Sequence, residues 1–455
     1  MSPQPPRRVH LVSLGCPKNR VDSEGMLGRL LAEGWELCDD PAQADALVVN
    51  TCAFIQPATE ESIQTVLELA SAKRPGQQLV VTGCMVQRYG RELASELPEV
   101  DAFLGTGELA RLPAVLGGGV RACHLGSAGW LEQEPGPRAG QWVPHSAYLK
   151  ITEGCHRRCS YCIIPRLRGP LRSRGLEHLV AEARALAAGG VHEICLVGQD
   201  TTAWGRDLPG RPRLAALLRA LTAVEGLRWI RVLYAHPSGV DDDLLAVMAG
   251  EPNICHYLDL PLQHAAGPVL RAMGRGNVGR AGLERLVARV RGAVPGIVLR
   301  TTFMVGFPGE EEGHFSELLE FVREQRFERA GVFRYFAEEG TRAATLPGQV
   351  SEELLQARFE ALVAVQAEVA ATWQRSLVGE TLEVLVDGPS PEHELLAVGR
   401  HQGQAPEIDG VVHLGLPPDG LVAGSFVRAR IQGADEVDLA AEVLESPPRR
   451  APRRR

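Results

Sequence analysis

ITEGCHRRCSYCIIP, residues 151–165, places Cys155, Cys159 and Cys162 in a CxxxCxxC loop. Three thiolates within eight residues can wrap one face of a metal site, whereas tetrahedral structural zinc takes four ligands, usually as two separated pairs. A zinc knuckle completed by His156 or a distant residue remains the alternative reading of the loop. The loop directly follows AYLKI (147–151), a short apolar run of strand character. From there the rhythm of strand and helix repeats. Further strands are EICLVG (193–198), LRWIRVLY (227–234), HYLDLP (256–261), VLRTTFMVG (298–306) and AGVFRYF (330–336). Helical spacing of apolar residues marks 176–188, 213–224, 282–294 and 314–325. Six such units predict an incomplete parallel barrel over 141–375, with its chemistry at the C-terminal ends of the strands.

Upstream, VHLVSL (9–14), DALVVN (45–50) and QQLVV (77–81) alternate with helical segments at 22–34 and 58–72. This predicts an α/β domain, a small doubly wound parallel sheet over residues 7–120. Cys16, Cys52 and Cys84 each stand just beyond one of its strands. In a parallel sheet those ends share one edge, with neighbouring strands ~4.8 Å apart, and open α/β sheets bind ligands at that edge. Cysteines 36 and 32 positions apart in sequence should therefore meet in space. Burial as small hydrophobes is the other ordinary fate of cysteine. It suits Cys195, Cys38, Cys123 and Cys255, which do not share that placement. Gly15 and Pro17, on either side of Cys16, read as turn residues that aim its thiolate at the sheet edge.

Gly/Pro-rich WLEQEPGPRAGQWVP (130–144) reads as a linker, bounded as 121–140. Beyond the long helical stretch 351–377, short β-segments TLEVLVDG, GVVHLG, SFVRARIQG and EVDLAAEVL predict a small β-barrel over 376–446. Residues 447–455 read as a disordered basic tail. At 455 residues the chain needs several cores. No apolar run approaches the ~18–20 residues that span a bilayer, and the N-terminus lacks a secretory pattern, which predicts a cytoplasmic enzyme. Ten cysteines are too sparse for a disulfide scaffold and, in a reducing compartment, are free to bind metal.

The CxxxCxxC loop, with Tyr161 before its third cysteine and a barrel strand before its first, resembles the signature of the radical S-adenosylmethionine enzymes. The resemblance implies a four-iron four-sulfur cluster on Cys155, Cys159 and Cys162, with one iron open to chelate S-adenosylmethionine. One-electron reduction would then give methionine and a 5′-deoxyadenosyl radical, which abstracts hydrogen from carbons beyond acid–base chemistry. Tyr161 would lie near the adenine. VGQDTT (197–202) stands where many such enzymes carry Gly-Gly-Glu-Pro, so Gly198, Gln199 and Asp200 become candidate contacts to the methionine amino group. Thr301 and Thr302 in LRTTFMVGFPGE (299–310) are further candidate S-adenosylmethionine contacts. Gln263, His264, Arg168 and Arg174 also fall at strand ends or in the loop, where structural roles are equally open.

Two three-cysteine sets, one in an N-terminal α/β domain and one in a radical barrel, followed by a small β-barrel, resemble the methylthiotransferases. This implies a second four-iron four-sulfur cluster on Cys16, Cys52 and Cys84, able to bind sulfur at its open iron. One S-adenosylmethionine would supply the radical and another the methyl group, with a sulfur donor and a low-potential electron donor as partners. LGCPKNRVDSE (14–24), VNTCAFI (49–55), CSYCIIPRLRGPLRSR (159–174), PLQH (261–264) and RTTFMVGFPGE (300–310) resemble the branch acting at the β-carbon of an aspartate in small-subunit ribosomal protein twelve. The transfer-RNA branch typically has Gln-Met-Asn where this chain has Pro17-Lys18-Asn19.

The C-terminal barrel resembles a TRAM domain, commonly an RNA binder, yet residues 376–445 hold 13 Asp and Glu against three Arg and no Lys. Neutralising phosphates requires cations, so stable nucleic-acid binding is not expected. An acidic barrel should instead attract a basic ribosomal protein. Modification of a transfer-RNA adenosine and a non-catalytic zinc-binding scaffold on the ribosome are the competing readings.

Overall fold

The computed structural model describes residues 6–118, 121–132, 136–140, 143–276, 278–415 and 421–445, so the basic tail lies outside the described residues. In the N-terminal part, Arg8–Ser13, Ala46–Thr51 and Gln78–Gly83 form the centre of a six-stranded, wholly parallel sheet. Its order is Glu36–Leu37, Arg8–Ser13, Ala46–Thr51, Gln78–Gly83, Ala102–Leu104, Ala122–His124. The winding reverses between Arg8–Ser13 and Ala46–Thr51, the switch point where such sheets open a crevice at their C-terminal edge.

The three outer strands escape a reading of the sequence because they are two or three residues long, and Glu36–Leu37 is exposed at both positions. Ala122–His124 falls within the stretch expected as linker, so the sheet reaches past residue 120. Cys123 on that edge strand is exposed and Cys38 half-buried, unlike the buried cysteines expected there, whereas Cys195 and Cys255 are buried. Pro17 is not a turn residue: it opens the helix Pro17–Ala32, where its missing N–H and fixed φ cost nothing. The described part of the linker packs tightly. Arg138 is paired with Glu24 of that helix and with Glu182 at 2.7 Å, and the Ala139 N–H donates to Glu24 O at 3.1 Å.

Six parallel strands follow in unbroken spatial order, Ser146–Lys150, Glu193–Val197, Trp229–Val232, Ile254–Asp259, Val298–Val305 and Arg329–Arg334. Successive side chains point to opposite faces. Leu149, Ile194, Leu196, Ile230 and Leu258 pack outward against helices that include Leu176–Ala188, Leu214–Thr222 and Asp242–Gly250. Tyr148, Cys195, Val197, Cys255 and Tyr257 turn to the concave face.

The chain ends in a closed five-stranded barrel, ordered Thr381–Pro389, Leu396–His401, Val412–Gly415, Leu439–Glu445, Phe426–Ala434. Leu396–His401 was not anticipated, because Gly399 interrupts its apolar pattern. There the glycine serves close packing, since a Cβ would stand 2.5 Å from Leu385 O. Segment 401–410 enters the concave face of the larger barrel: Arg231 donates to Gln402 O at 2.6 Å, Tyr148 to Pro406 O at 3.2 Å and Tyr257 to Asp409 at 2.8 Å. At the seam Arg400 pairs with Glu193 at 2.7 Å and with Asp387 at 2.8 Å. The same barrel's Glu407 pairs with Arg20 of the helix Pro17–Ala32, so all three parts of the chain meet at this segment.

Candidate functional site

Cys16 caps the helix Pro17–Ala32, Cys52 follows Ala46–Thr51, and Cys84 opens the helix Cys84–Glu96 directly after Gln78–Gly83. The three expected strand-end positions are thus occupied as the sequence implied. Their closeness is visible in two glycines. Gly15 has φ +84°, and a Cβ on it would stand 2.7 Å from Cys52 Cβ and 2.9 Å from its Sγ. Gly83 has φ +97°, and its Cβ would lie 2.5 Å from Asn50 Oδ1 and 2.6 Å from Thr51 O. Any side chain at either position would push the cysteine-bearing turns apart.

A buried polar lattice ties these turns together. Asn19 Nδ2 donates to Leu14 O and Thr51 O, both at 3.0 Å, and Asn50 Nδ2 donates to Asn19 O at 2.9 Å. Thr51 Oγ1 donates to Thr82 O at 2.5 Å, and Ser62 Oγ accepts the Cys52 N–H at 3.0 Å while donating to Cys52 O at 2.8 Å. Asn19, Asn50, Thr51 and Ser62 are all fully enclosed; Asn50 and Thr51 end a strand, where small polar residues read as solvent-facing turns, and Asn19 and Ser62 sit on helices, where they read as a polar outer face. Burial pushes the Cys52 thiol up to about 12, and the charges of Cys84 and Cys16 add to that. Cys84 is also raised by burial, against the pull of Arg168. Cys52 and Cys84 are buried and Cys16 is half-buried; a strongly positive group such as iron would favour the thiolate form of the two buried thiols.

The second triad is held on a rigid loop. Thr152–Glu153 pairs antiparallel with Arg172–Ser173, and the Cys155 N–H donates to Gly169 O at 3.1 Å. Gly154, at φ +78°, would place a Cβ 2.1 Å from Pro170 O. At the other end Ser160 donates from N to Met273 O at 2.9 Å and from Oγ to Ala272 O at 2.7 Å. All three cysteines are half-buried. Burial, then the neighbouring thiols Cys159 and Cys155 against a backbone N–H at Ile164, carries Cys162 up to about 12. Each thiolate of a four-iron cluster binds its own iron; among the described residues no three His, Cys, Asp or Glu side chains form a group set to hold a single metal ion.

Between the triads lies a buried ion network. Arg168 reaches Asp22 Oδ2 at 2.6 Å and Glu153 Oε2 at 3.3 Å, and donates to Asn19. Its charge is felt by Cys84, whose thiol it pulls down against the effect of burial. Lys150 pairs with Glu153 at 2.9 Å and with Asp22. Burial would raise the Glu153 carboxyl, but Lys150 and Arg168 outweigh it and hold the group down to about 2. One arginine therefore touches the first triad and, through Glu153, the strand that leads into the second.

The candidate S-adenosylmethionine contacts separate into two groups. Gln199 donates from Nε2 to Glu153 at 2.7 Å, which leaves its buried Oε1 without a partner; Thr152 Oγ1 beside it is also unpartnered. Gly198 packs so closely that a Cβ would stand 2.2 Å from that hydroxyl. Tyr161 meets Phe307 edge-on at 6.5 Å, and Phe307 meets Tyr335 at 5.4 Å. Asp200, by contrast, pairs with Arg157 at 2.9 Å and accepts from Thr202 at 2.5 Å. Thr301 donates to Leu260 O at 2.9 Å, while Thr302 faces Gln263 through its backbone. His264 is buried 3.5 Å from Glu310, and Arg174 pairs with Glu182 at 2.6 Å. His236 and Arg275 were not singled out from sequence. Burial, then the charges of Arg275 and Arg157, lowers His236 to about 3. AHPSG (235–239) follows the strand Trp229–Val232, so the strand-end rule that found the cysteines would have found His236 too.

Comparison with known proteins adds three matches along the chain. Residues 8–105 match the family described as "Uncharacterized protein family UPF0004", residues 149–322 the radical SAM superfamily and residues 378–444 the TRAM domain. A ribosomal protein uS12 methylthiotransferase RimO of Anaeromyxobacter sp. (strain K) is 50% identical over 98% of this chain and 95% of its own. Proteins of the same description from Myxococcus xanthus and Geobacter sulfurreducens are 48% and 47% identical, over 97% and 96% of this chain and 93% and 98% of theirs. Among solved structures, the radical S-adenosylmethionine methyltransferase TsrM of Kitasatospora setae superposes with a TM-score of 0.53 at 16% identity, covering 72% of each chain. The cobalamin-dependent S-adenosylmethionine radical enzyme OxsB does so with a TM-score of 0.54 at 12% identity, covering 79% of this chain and 56% of that one. At such identities the likeness is one of fold.

Proposed function

The chain belongs to the RimO family of ribosomal protein uS12 methylthiotransferases, and from that membership we propose that it replaces a hydrogen on the β-carbon of a uS12 aspartate with a methylthio group. Radical S-adenosylmethionine chemistry with a four-iron four-sulfur cluster comes with the family; a second cluster on Cys16, Cys52 and Cys84 is part of the proposal. When bound, the cofactors supply hydrogen-atom abstraction from a carbon that no base could deprotonate, the sulfur of the new C–S bond and its methyl group.

The observation that carries this reading is the convergence of two cysteine triads on one buried network, with Arg168 against Cys84 on one side and against Glu153 on the other. Cys155, Cys159 and Cys162 would hold the radical-forming cluster. Gln199 Oε1 and Thr152 Oγ1, two buried acceptors without donors, fit the ammonium group of S-adenosylmethionine. The aromatic wall of Tyr161 and Phe307 suits its adenine. Gly198 serves by letting the two strand-end loops close. Asp200 orients Arg157, the residue two beyond Cys155. Thr301 and Thr302 fix the register of the neighbouring strand end and shape the site from behind.

The test is the intact mass of uS12 from cells lacking this gene, with and without the chain supplied in trans. We expect uS12 to gain one methylthio group in place of a hydrogen, located on aspartate by fragmentation. A uS12 of unchanged mass beside a newly methylthiolated transfer RNA would reverse the assignment.

The surplus of acid on the C-terminal barrel divides in the structure. Asp387 and Asp409 are paired with Arg400 and Arg300 in buried positions, and Glu407 and Glu383 with Arg20 and Arg228 at the exposed margins of the contact with the other domains. Glu380, Glu392, Glu394, Asp435, Glu436 and Glu442 remain exposed, opposed by exposed Arg428 and Arg430. Those exposed acids, still in excess over the exposed arginines, are the part we assign to docking of the basic uS12. Reversing Asp435, Glu436 and Glu442 to lysine should raise KM for uS12 about tenfold at low ionic strength and remove most of its dependence on salt. An unaltered KM and salt slope would show that the barrel does not dock the substrate. Among the described residues no helix is long and apolar enough to cross a membrane.

A further inference from the structure

Lys18 is the second residue of the helix capped by Cys16, and it is 8% exposed. Its Nζ stands 3.4 Å from the centre of the Tyr234 ring. Tyr234 lies just past the strand Trp229–Val232, at the mouth of the larger barrel. Its own N–H donates to Asp259 Oδ2 at 3.0 Å and its carbonyl accepts the Thr201 N–H at 3.1 Å. Those bonds tie it to the ends of two neighbouring strands, and it holds a left-handed backbone at φ +57°. Such a conformation in an aromatic residue costs energy and persists where its surroundings over-determine it. The ammonium is thereby fixed between the turn that carries Cys16 and the C-terminal edge of the parallel barrel strands, the edge beyond which the loop of the second triad also begins.

The other buried cations of this region have carboxylate partners. Arg168 and Lys150 share Asp22 and Glu153, and Arg157 has Asp200. Among the described residues no carboxylate pairs with Lys18; what stands beside it are the Tyr234 ring and the Cys16 thiol. Enclosing an ammonium against an aromatic ring recovers only part of its lost hydration. A carboxylate arriving from outside would complete the pairing with a charge-assisted hydrogen bond. Aspartate carries such a group on the carbon next to the one that reacts, so holding the carboxylate also aims the β-hydrogen.

We propose that Lys18 is the specificity residue for the substrate's side-chain carboxylate, its ammonium pairing with the target aspartate as that residue enters between the two cysteine triads. The inference rests on the aspartate reading above.

The test measures binding and needs no turnover. Reconstituted full-length protein, saturated with S-adenosylmethionine and kept without reductant, is titrated with fluorescently labelled uS12 carrying either the target aspartate or asparagine in its place. The parent should prefer aspartate by about ten- to a hundredfold, the scale of a hydrogen bond between charged groups. Lys18→Met should lose most of that preference while keeping the parent's iron and sulfide content, and Lys18→Arg should keep much of it. Iron and sulfide counts separate this role from a structural one. Lys18→Met that retains the parent's preference overturns the assignment to Lys18 alone, as does loss of iron from Lys18→Met with the preference intact, which would make Lys18 a counter-charge for the first triad. A parent protein that binds both forms of uS12 equally overturns the carboxylate pairing, whereas the aspartate reading itself falls only to the mass and fragmentation measurement above.

Discussion

Cys16→Ala is expected to abolish methylthiolation of uS12 while the protein still forms 5′-deoxyadenosine from S-adenosylmethionine. The two triads are supported by separate sets of residues. Cys16, Cys52 and Cys84 belong to the N-terminal sheet, and their turns are held by Asn19, Asn50, Thr51 and Ser62, none of which reaches Cys155, Cys159 or Cys162. Removing one of three ligands should therefore empty the first site and leave the second filled. Reconstituted parent should hold about eight iron and eight sulfide and the variant about half of each. Cys159→Ala supplies the contrast, since it should lose both 5′-deoxyadenosine and product. Product formation by Cys16→Ala above about one part in a thousand of the parent rate would refute the role of the first triad in sulfur insertion.

Ser62→Ala extends the same reasoning by one step. It removes the hydroxyl that accepts from the Cys52 N–H and donates to its carbonyl, but it leaves all three thiols in place, so partial rather than complete loss of the first cluster is the natural outcome.

What sequence could and could not convey follows from the range of the interactions involved. The six barrel strands and the cysteine-bearing strand ends were legible because each is announced by neighbours in the chain: an apolar run, then a turn, then a cysteine. Strands such as Ala122–His124 and Leu396–His401 were not, since their existence depends on a partner strand and, for the latter, on a glycine that packs under Leu385 O. The same distinction divides the site. Gln199 was legible by its position after a strand; that its Oε1 is left free depends on Glu153, 46 residues away, taking its amide. Thr301 and Arg174 occupy equally suggestive positions, yet their polar groups are directed to Leu260 O and Glu182. The acidic barrel shows the limit of counting charges, because three of its acids pair with cations of the other domains and a fourth, Asp387, with the barrel's own Arg400, so each is largely neutralised.

The position of one triad relative to the other depends on Arg168, which makes Arg168→Met the severest test of how the site is assembled. The guanidinium is 2% exposed and forks to Asp22, Asn19 and Glu153, joining the helix behind Cys16 to the strand before Cys155. Methionine fills similar volume but leaves Asp22 and Glu153 with Lys150 as their shared cation. Breaking a buried ion pair from one side costs about 3–5 kcal/mol, to be read as an earlier first transition in urea because a chain of three domains does not unfold in one step. Arg168→Lys keeps the charge but cannot fork, so it should recover part of the stability. Function should fail in a particular way. With the seam loosened, both triads can still bind iron, but the sulfur-bearing side no longer meets the substrate in register. The 5′-deoxyadenosine formed per methylthio group transferred should then rise about tenfold or more, as displacements near 1 Å do elsewhere. A simple stability defect would lower both products together and leave their ratio alone. Arg168→Met with the parent's urea transition and the parent's product ratio would mean that the two triads are aligned by something other than this buried network.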